Sequence, residues 1–196
     1  LRHYWSNVKY DTFYTLNENG SLSESTYIDN SNVNFNAFNI DLKAFSETFY
    51  QQHTKGKLEP VLQTIKTISK SNAHLEITNL VISDLNDDEQ LFTEMIKWIA
   101  TETGENTSLH LSRYFPQHKM QHPPTPIKKL ETLYEIAKKH LQYVYLGNVS
   151  DTKRSSTFCP NCNELLIERN RYQIKSDMLS TAGKCKNCNT EIAVLS

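Results

Sequence analysis

The feature that most constrains this fold lies at the C-terminal end: two Cys-x-x-Cys pairs, Cys159/Cys162 and Cys185/Cys188, with 22 residues (163–184) between them and no cysteine before position 159. Cysteines gathered this way do not read as a disulfide framework spread over the fold. Two thiolates two residues apart on a turn hold one face of a tetrahedral ion, and a second such pair completes Cys₄ coordination. Asn163 and Asn189 follow the second cysteine of each pair, where the turn needs a residue that tolerates left-handed geometry. A redox dithiol would need only one pair. The expectation is therefore a structural zinc ion, with rubredoxin-like iron as the alternative metal. The stretches ELLIERNRYQIK (164–175) and TEIAVL (190–195) read as short strands, which makes residues 158–196 a zinc ribbon. A unit of that size buries too little to fold on a core alone and draws its stability from the metal.

Upstream, strand and helix patterns alternate. Strand-like runs are DTFYTL (11–16), NAFNIDL (36–42), HLEITNLVI (74–82), SLHLS (108–112) and QYVYL (142–146). Between them, Pro60 stands near a helix start followed by Val61, Leu62, Ile65 and Ile68. Asn86 and Glu89 form a capping-box-like start to a helix whose apolar face is Leu91, Phe92, Met95, Ile96 and Ile99. Thr125-Pro126 opens a third helix, with Leu130, Leu133, Tyr134, Ala137 and Leu141 facing inward. Strands joined by helical crossovers imply an α/β fold with a parallel sheet over residues 1–149, linked through the polar segment 150–157 to the ribbon.

The informative positions are the polar ones within the strands. A parallel strand buried on both faces reads as nearly continuous Val, Ile and Leu. Here Asn39, Asp41 and Lys43 alternate with Ile40 and Leu42; Glu76 and Thr78 with Leu75 and Ile77; His110 and Ser112 with Leu109 and Leu111, with Arg113 next. One solvent-facing sheet face would do this, but three neighbouring βα strands doing it near their C-terminal ends favour a polar pocket lined from several strands. The formal net charge of −1 argues against a dedicated nucleic-acid surface, which phosphate contacts would load with Lys and Arg. No apolar run reaches a membrane span, no signal-like leader opens the chain, and a cytoplasmic protein is expected.

The stretches FNIDLKAF, HLEITNLVISDLNDDE, LHLSRYFPQHKM with its following PPTP, and YVYLGNV occur in this order ahead of the Cys₄ ribbon. Together they resemble the C-terminal portion of the AmmeMemoRadiSam-system radical SAM enzymes, relatives of the pyruvate formate-lyase activating enzymes, from about residue 16 to the end. The resemblance implies a (β/α) TIM-type barrel. It also implies S-adenosylmethionine cleaved reductively by a [4Fe-4S] cluster, giving a radical that abstracts hydrogen from a substrate. The family's Cys-x-x-x-Cys-x-x-Cys cluster loop is absent from this sequence. The resemblance places Leu1 just before the fourth barrel strand, so the first three units are expected to be missing and an N-terminal barrel half to be supplied elsewhere.

By resemblance, the second half of the S-adenosylmethionine pocket carries over residue by residue. Asn19, in ENG (18–20), matches a cofactor-site turn, although Asn17 and Glu18 depart from the family's Asp-Thr. Asp41 and Lys43, in DLK, match residues lining the cofactor site, where a carboxylate can hold a cation or the cofactor's ammonium group and Lys43 can meet its carboxylate. Thr78, His110, Ser112 and Arg113 match polar lining positions on the next two strand ends. The proline-bounded loop carrying His118, Lys119 and His122 reads as a lid or substrate loop rather than a metal site. His3, His53, His74 and His140 read as ordinary surface or packing residues. The contrasting function is a non-catalytic module whose ribbon contacts a protein or nucleic acid. Lys153, Arg154, Arg169, Arg171, Lys175, Lys184 and Lys186 support it, and Asp151, Glu164, Glu168, Asp177 and Glu191 dilute their charge.

Overall fold

The computed structural model describes residues 37–118, 120–170 and 173–193. The strand expected at 11–16 and Asn19 lie outside them. Four parallel strands form the main sheet in the order β1-β2-β3-β4: β1 Ala37–Asp41, β2 His74–Val81, β3 Ser108–Arg113 and β4 Val144–Gly147. Four of the expected strands are therefore present, each within two residues of its expected bounds.

Period-2 alternation divides the sheet into two unlike faces. Ile40, Leu75, Ile77, Val81, Leu109, Leu111, Val144 and Leu146 enter one apolar core together with the helices α2 Leu58–Ser69, α3 Glu89–Thr103 and α4 Ile127–Lys138. Each fully buried aliphatic side chain contributes about 1.5–3 kcal/mol of apolar burial. The helix stripes read from the sequence supply the other half of that core. Val61, Leu62, Ile65 and Ile68 of α2, and Phe92, Met95, Ile96 and Ile99 of α3, are all buried. Leu91 is the exception. It is 43% exposed, because position 91 falls at the margin of the stripe and turns outward. Tyr134 is likewise only half inside and lies under the Arg154 guanidinium, 5.5 Å from its ring.

The start of α3 also differs from expectation. Asp88 is the N-cap, its Oδ1 accepting from the Gln90 and Leu91 N–H groups at 3.0 and 2.8 Å. Asn86 is drawn away from the helix end because its side chain has three backbone partners elsewhere: it accepts from Ile82 N–H and donates to the Lys43 and Leu80 carbonyls. Between β1 and α2 the chain makes one turn of α-helix, α1 Glu47–Phe49, that runs into a π-helical turn at Tyr50–Thr54. The sequence pattern did not signal it.

Residues 152–155 form a short helix, α5 Thr152–Ser155, capped by the Asp151 side chain. A three-stranded antiparallel sheet follows, β5 Thr157–Phe158, β6 Leu165–Asn170 and β7 Gln173–Lys175, in the order β5-β6-β7. The expected strand at 190–195 is reduced to one bridge, Lys184 with Glu191, within its described part. A second apolar cluster holds this unit. Leu166, Ile167, Cys159, Cys185 and Ile192 pack with Tyr143 and Tyr145, which flank and enter β4. The small sheet is thus seated on the polar side of β4, opposite the helices.

Candidate functional site

Two centres stand out, the polar face of the main sheet and the four cysteines beside it. Parallel register sets the first. Asn39 pairs with Glu76, Asp41 with Thr78, Thr78 with His110, and His110 with Tyr145, so neighbouring strands present their polar side chains on one face.

Glu76 is the hub. Its Oε2 lies 3.0 Å from His110 Nε2 and 3.4 Å from the donating Asn39 Nδ2, while its Oε1 lies 3.4 Å from His74 Nε2. Burial opposes ionisation of this carboxyl, but the His110 and His74 hydrogen bonds outweigh it and hold the group well below the usual carboxylate range. Thr78 Oγ1 donates to Asn39 Oδ1 at 2.8 Å, which fixes the asparagine amide that faces Glu76. His74 therefore belongs to this network rather than being a mere packing residue, and neither it nor Glu76 was singled out as a site residue from the sequence.

Asp41 and Lys43 form an ion pair at 2.8 Å, with side chains 51% and 36% exposed. The backbone of Lys43 is held from both sides. Its N–H donates to Tyr50 Oη at 3.1 Å, and its carbonyl accepts from Asn79 Nδ2 at 3.1 Å and Asn86 Nδ2 at 2.6 Å. Asn79 Nδ2 also reaches the Leu42 carbonyl at 2.7 Å. Burial pushes the Tyr50 phenol up to about 12, so it remains a neutral partner. Asn79 and Asn86 stand in the quoted ITNLVISDLND stretch. An asparagine inside the apolar run ITNLVI is a sequence signal for Asn79, whereas Asn86, among aspartates, carries no such signal.

Ser112 is buried on the same face as His110, opposite Gly147 of β4. A Cβ at position 147 would approach Ser112 Oγ to 2.9 Å, so glycine is what lets the two strands pair there. Arg113 falls on the other parity. Its Nε donates to the Thr125 carbonyl at 2.7 Å, and its guanidinium lies 4.7 Å from the Phe115 ring. Thr125 is fully buried and ties the strand ends together, its Oγ1 donating to the Val81 carbonyl at 2.6 Å and accepting from Tyr114 N–H at 3.2 Å. The loop carrying His118 and His122 leaves from Tyr114 and returns at Thr125. Among the described residues those histidines join no group of potential metal ligands.

The four cysteines converge. The Sγ atoms of Cys159, Cys162, Cys185 and Cys188 all lie within 4.8 Å of one another. Cys159 and Cys188 approach to 3.5 Å and Cys162 and Cys185 to 3.7 Å. Tetrahedral zinc with Zn–S bonds of about 2.3 Å sets its sulfurs about 3.8 Å apart, so the donor set fits. Each knuckle is closed by backbone bonds, from Asn163 N–H to the Cys159 carbonyl at 2.9 Å and from Asn189 N–H to the Cys185 carbonyl at 2.8 Å. Asn163 and Asn189 have φ of 58° and 61°, the left-handed geometry expected of them. Hydrogen bonds from Thr190 pull the Cys188 thiol down to about 5, the ionised form a metal requires. Desolvation pushes Cys185 the other way, to about 11.

A cleft of about 300 Å³ opens at the opposite ends of the strands, among Glu105, Lys138, His140, Phe158 and Pro160. None of the polar-face residues lines it. Among the described residues no helix is long and apolar enough to cross a membrane.

Comparison with known proteins shows what the chain is similar to. A family model described as "Domain of unknown function (DUF5916)" matches residues 1–52. An uncharacterized protein of Methanocaldococcus jannaschii is 38% identical over 197 residues, covering 95% of this chain, and the chain spans only 58% of that relative's length. Among solved structures, the crystal structure of a domain of pyruvate-formate lyase-activating enzyme from Bacteroides vulgatus superposes with a TM-score of 0.51 at 20% identity, over 58% of this chain and 68% of that one. The chain thus pairs a four-cysteine group able to hold a metal with a parallel α/β fold like that of an activating-enzyme domain.

Proposed function

We propose that this chain is the C-terminal segment of a radical SAM enzyme of the AmmeMemoRadiSam-system kind. It contributes part of an incomplete (β/α) barrel that lines the S-adenosylmethionine and substrate pocket, followed by a structural zinc ribbon. The observation that carries this reading is the polar row across three parallel strands, Asn39, Glu76, Thr78 and His110, on the sheet face that the helices leave free. The fold likeness to an activating-enzyme domain and the DLK, HLEITN and LHLSRYFP stretches support it.

All four cysteines of the chain meet at the ribbon with the sulfur spacing of a single tetrahedral ion, and the sequence has no Cys-x-x-x-Cys-x-x-Cys loop, so its residues do not fit a [4Fe-4S] cluster. S-adenosylmethionine, when bound to the complete enzyme, supplies the hydrogen-abstracting chemistry. This chain's residues bind and orient. Lys43, with its backbone pinned by Tyr50, Asn79 and Asn86, offers an ammonium to a carboxylate, and Asp41 offers a carboxylate to an ammonium. Thr78, His110 and Ser112 form the polar wall beside them. Arg113, turned toward Thr125, secures the rim of that wall. The ribbon's apolar face is spent on Tyr143 and Tyr145, which weighs against a free-standing binding module.

Anaerobic metal and acid-labile sulfide analysis tests the reading. The chain alone should carry one zinc and no sulfide, and the protein extended by whatever its gene encodes upstream should gain iron and sulfide. An extended protein without iron refutes it.

A further inference from the structure

The ribbon reaches the polar face through one continuous row of side chains. Tyr145 stacks on His110, with ring centroids 5.2 Å apart and planes 29° from parallel. The Arg169 guanidinium lies 5.3 Å from the same tyrosine ring. Tyr145 Oη hydrogen-bonds not to the main sheet but to Thr157 Oγ1 of β5, at 3.1 Å, and Arg169 Nη1 donates to that same Thr157 Oγ1 at 2.6 Å. Arg169 is itself fixed at its backbone. Its N–H donates to Ser156 Oγ at 2.9 Å, and its carbonyl accepts from Ser155 Oγ at 3.1 Å. Among the described residues no carboxylate pairs with it; the guanidinium is held by Thr157 Oγ1, by the Ser155 carbonyl at 3.4 Å and by the Tyr145 ring.

We propose that Arg169 and Tyr145 are positioning residues for His110: the metal-loaded ribbon holds Arg169 on the Tyr145 ring, and that ring, held in turn against the imidazole, fixes its approach to Glu76. The physical basis is the division of the core. Tyr145 shares its apolar cluster with Cys159, Cys185, Leu166, Ile167 and Ile192, whereas among the described residues the helix-side core contains none from the ribbon. With strands of two, six and three residues and one small apolar cluster built around two of the cysteines, the ribbon depends on the metal to define its shape. Whatever fixes the four thiolates also fixes the clamp on His110. Burial on this interface keeps the clamp neutral on the tyrosine side, its phenol pushed up to about 12.

The inference rests on the proposed function only for the meaning of the pocket, and its test needs no S-adenosylmethionine. The zinc-loaded full chain, with its histidines isotope-labelled, is followed by NMR. The reporters are the ring-current shift of Tyr145 on the His110 Cε1 proton and the nuclear Overhauser contact between the two rings. Arg169→Met, at unchanged zinc content, should lose both signals, Arg169→Lys should restore part of them, and zinc chelation should abolish them. A merely structural Arg169 would lower the zinc affinity or the thermal midpoint of Arg169→Met and leave both His110 signals in place, and that outcome overturns the proposal. So does a chelated chain in which His110 keeps its shift and its contact with Tyr145.

Discussion

Replacing Glu76 by glutamine tests the hub of the polar face most directly. The side chain keeps its size and loses its charge. In the native chain the carboxylate takes one short contact, from His110 at 3.0 Å, and two longer ones, from His74 and Asn39 at 3.4 Å each. A hydrogen bond to a charged group contributes about 1.5–3 kcal/mol, and the longer pair contributes less than the short one. Glutamine has a single acceptor oxygen and no charge, so it cannot accept from His110, His74 and Asn39 together as the carboxylate does. Glu76→Gln should therefore cost about 2–3 kcal/mol of stability near neutral pH, read as a shift of the urea midpoint at unchanged slope.

The pH dependence supplies the sign. The folded pKa of Glu76 is depressed below its ordinary value of 4.5, so the stabilisation is fully present above that value and is lost as the pH falls toward the folded pKa. The stability gap between native and Glu76→Gln chains should be flat from about pH 7 down to about pH 5 and close progressively below that. His110→Ala should cost more than His74→Ala, in keeping with the two distances. A gap under about 0.5 kcal/mol at neutral pH, the range of an ordinary surface substitution, would refute the assignment of Glu76 as the hub. So would a gap that does not close in acid.

Three further outcomes follow from the same contacts. Removing the metal should strip hydrogen-exchange protection from β6 and β7 while β1–β4 keep theirs, because among the described residues the helix-side core holds none beyond Val149; simultaneous loss in both sheets would show the two cores to be one cooperative unit. Asn86→Ala leaves the Ile82 N–H and the Lys43 and Leu80 carbonyls without that partner and should cost about 3 kcal/mol in chemical denaturation, against about 1 kcal/mol for loss of the Asp88 cap. Gly147→Ala should cost about 1 kcal/mol through its 2.9 Å approach to Ser112 Oγ, and adding Ser112→Ala should recover most of it, since the next contacts lie at 3.6 Å or more; a double variant no better than the single would place the strain in the backbone.

The parts of the fold that were legible in the sequence are those governed by one period at a time. The stripes Val61-Leu62-Ile65-Ile68 and Phe92-Met95-Ile96-Ile99 are set by a 3.6-residue repeat that needs no knowledge of the partner surface, and they bury as read. The cysteine turns are equally local. Two residues between thiols and an asparagine after each pair leave few backbone solutions, and the chain takes the left-handed one at both positions. Legibility failed where a side chain had a better distant partner than its neighbours could offer. Asn86 sits where a capping box begins, yet three backbone groups of the β1 and β2 ends compete for its amide and win, passing the cap to Asp88.

The candidate site was half legible for a related reason. Alternation names the face on which a strand residue lies, and it correctly put Asn39, Asp41, Thr78, His110 and Ser112 on the polar one. It says nothing about how far one strand slides past the next, and contact depends on that slide. The register pairs Asn39 with Glu76 on one rung and Thr78, His110 and Tyr145 on the next, so that an amide, a carboxylate, an imidazole and a phenol meet on one face, Glu76 reaching His110 across the diagonal. Tyr145 was hidden a second way. In QYVYL a tyrosine passes as one more buried strand residue, although Tyr143 and Tyr145 alternate with Val144 and Leu146 in the same period that marks His110 and Ser112. An aromatic with a hydroxyl, placed on a face whose other members are polar, needs a partner beyond its own sheet. Thr157 and Arg169 supply it, from a unit whose docking no local pattern encodes, and through them a metal centre that the spacing announces is joined to a polar face that the alternation announces.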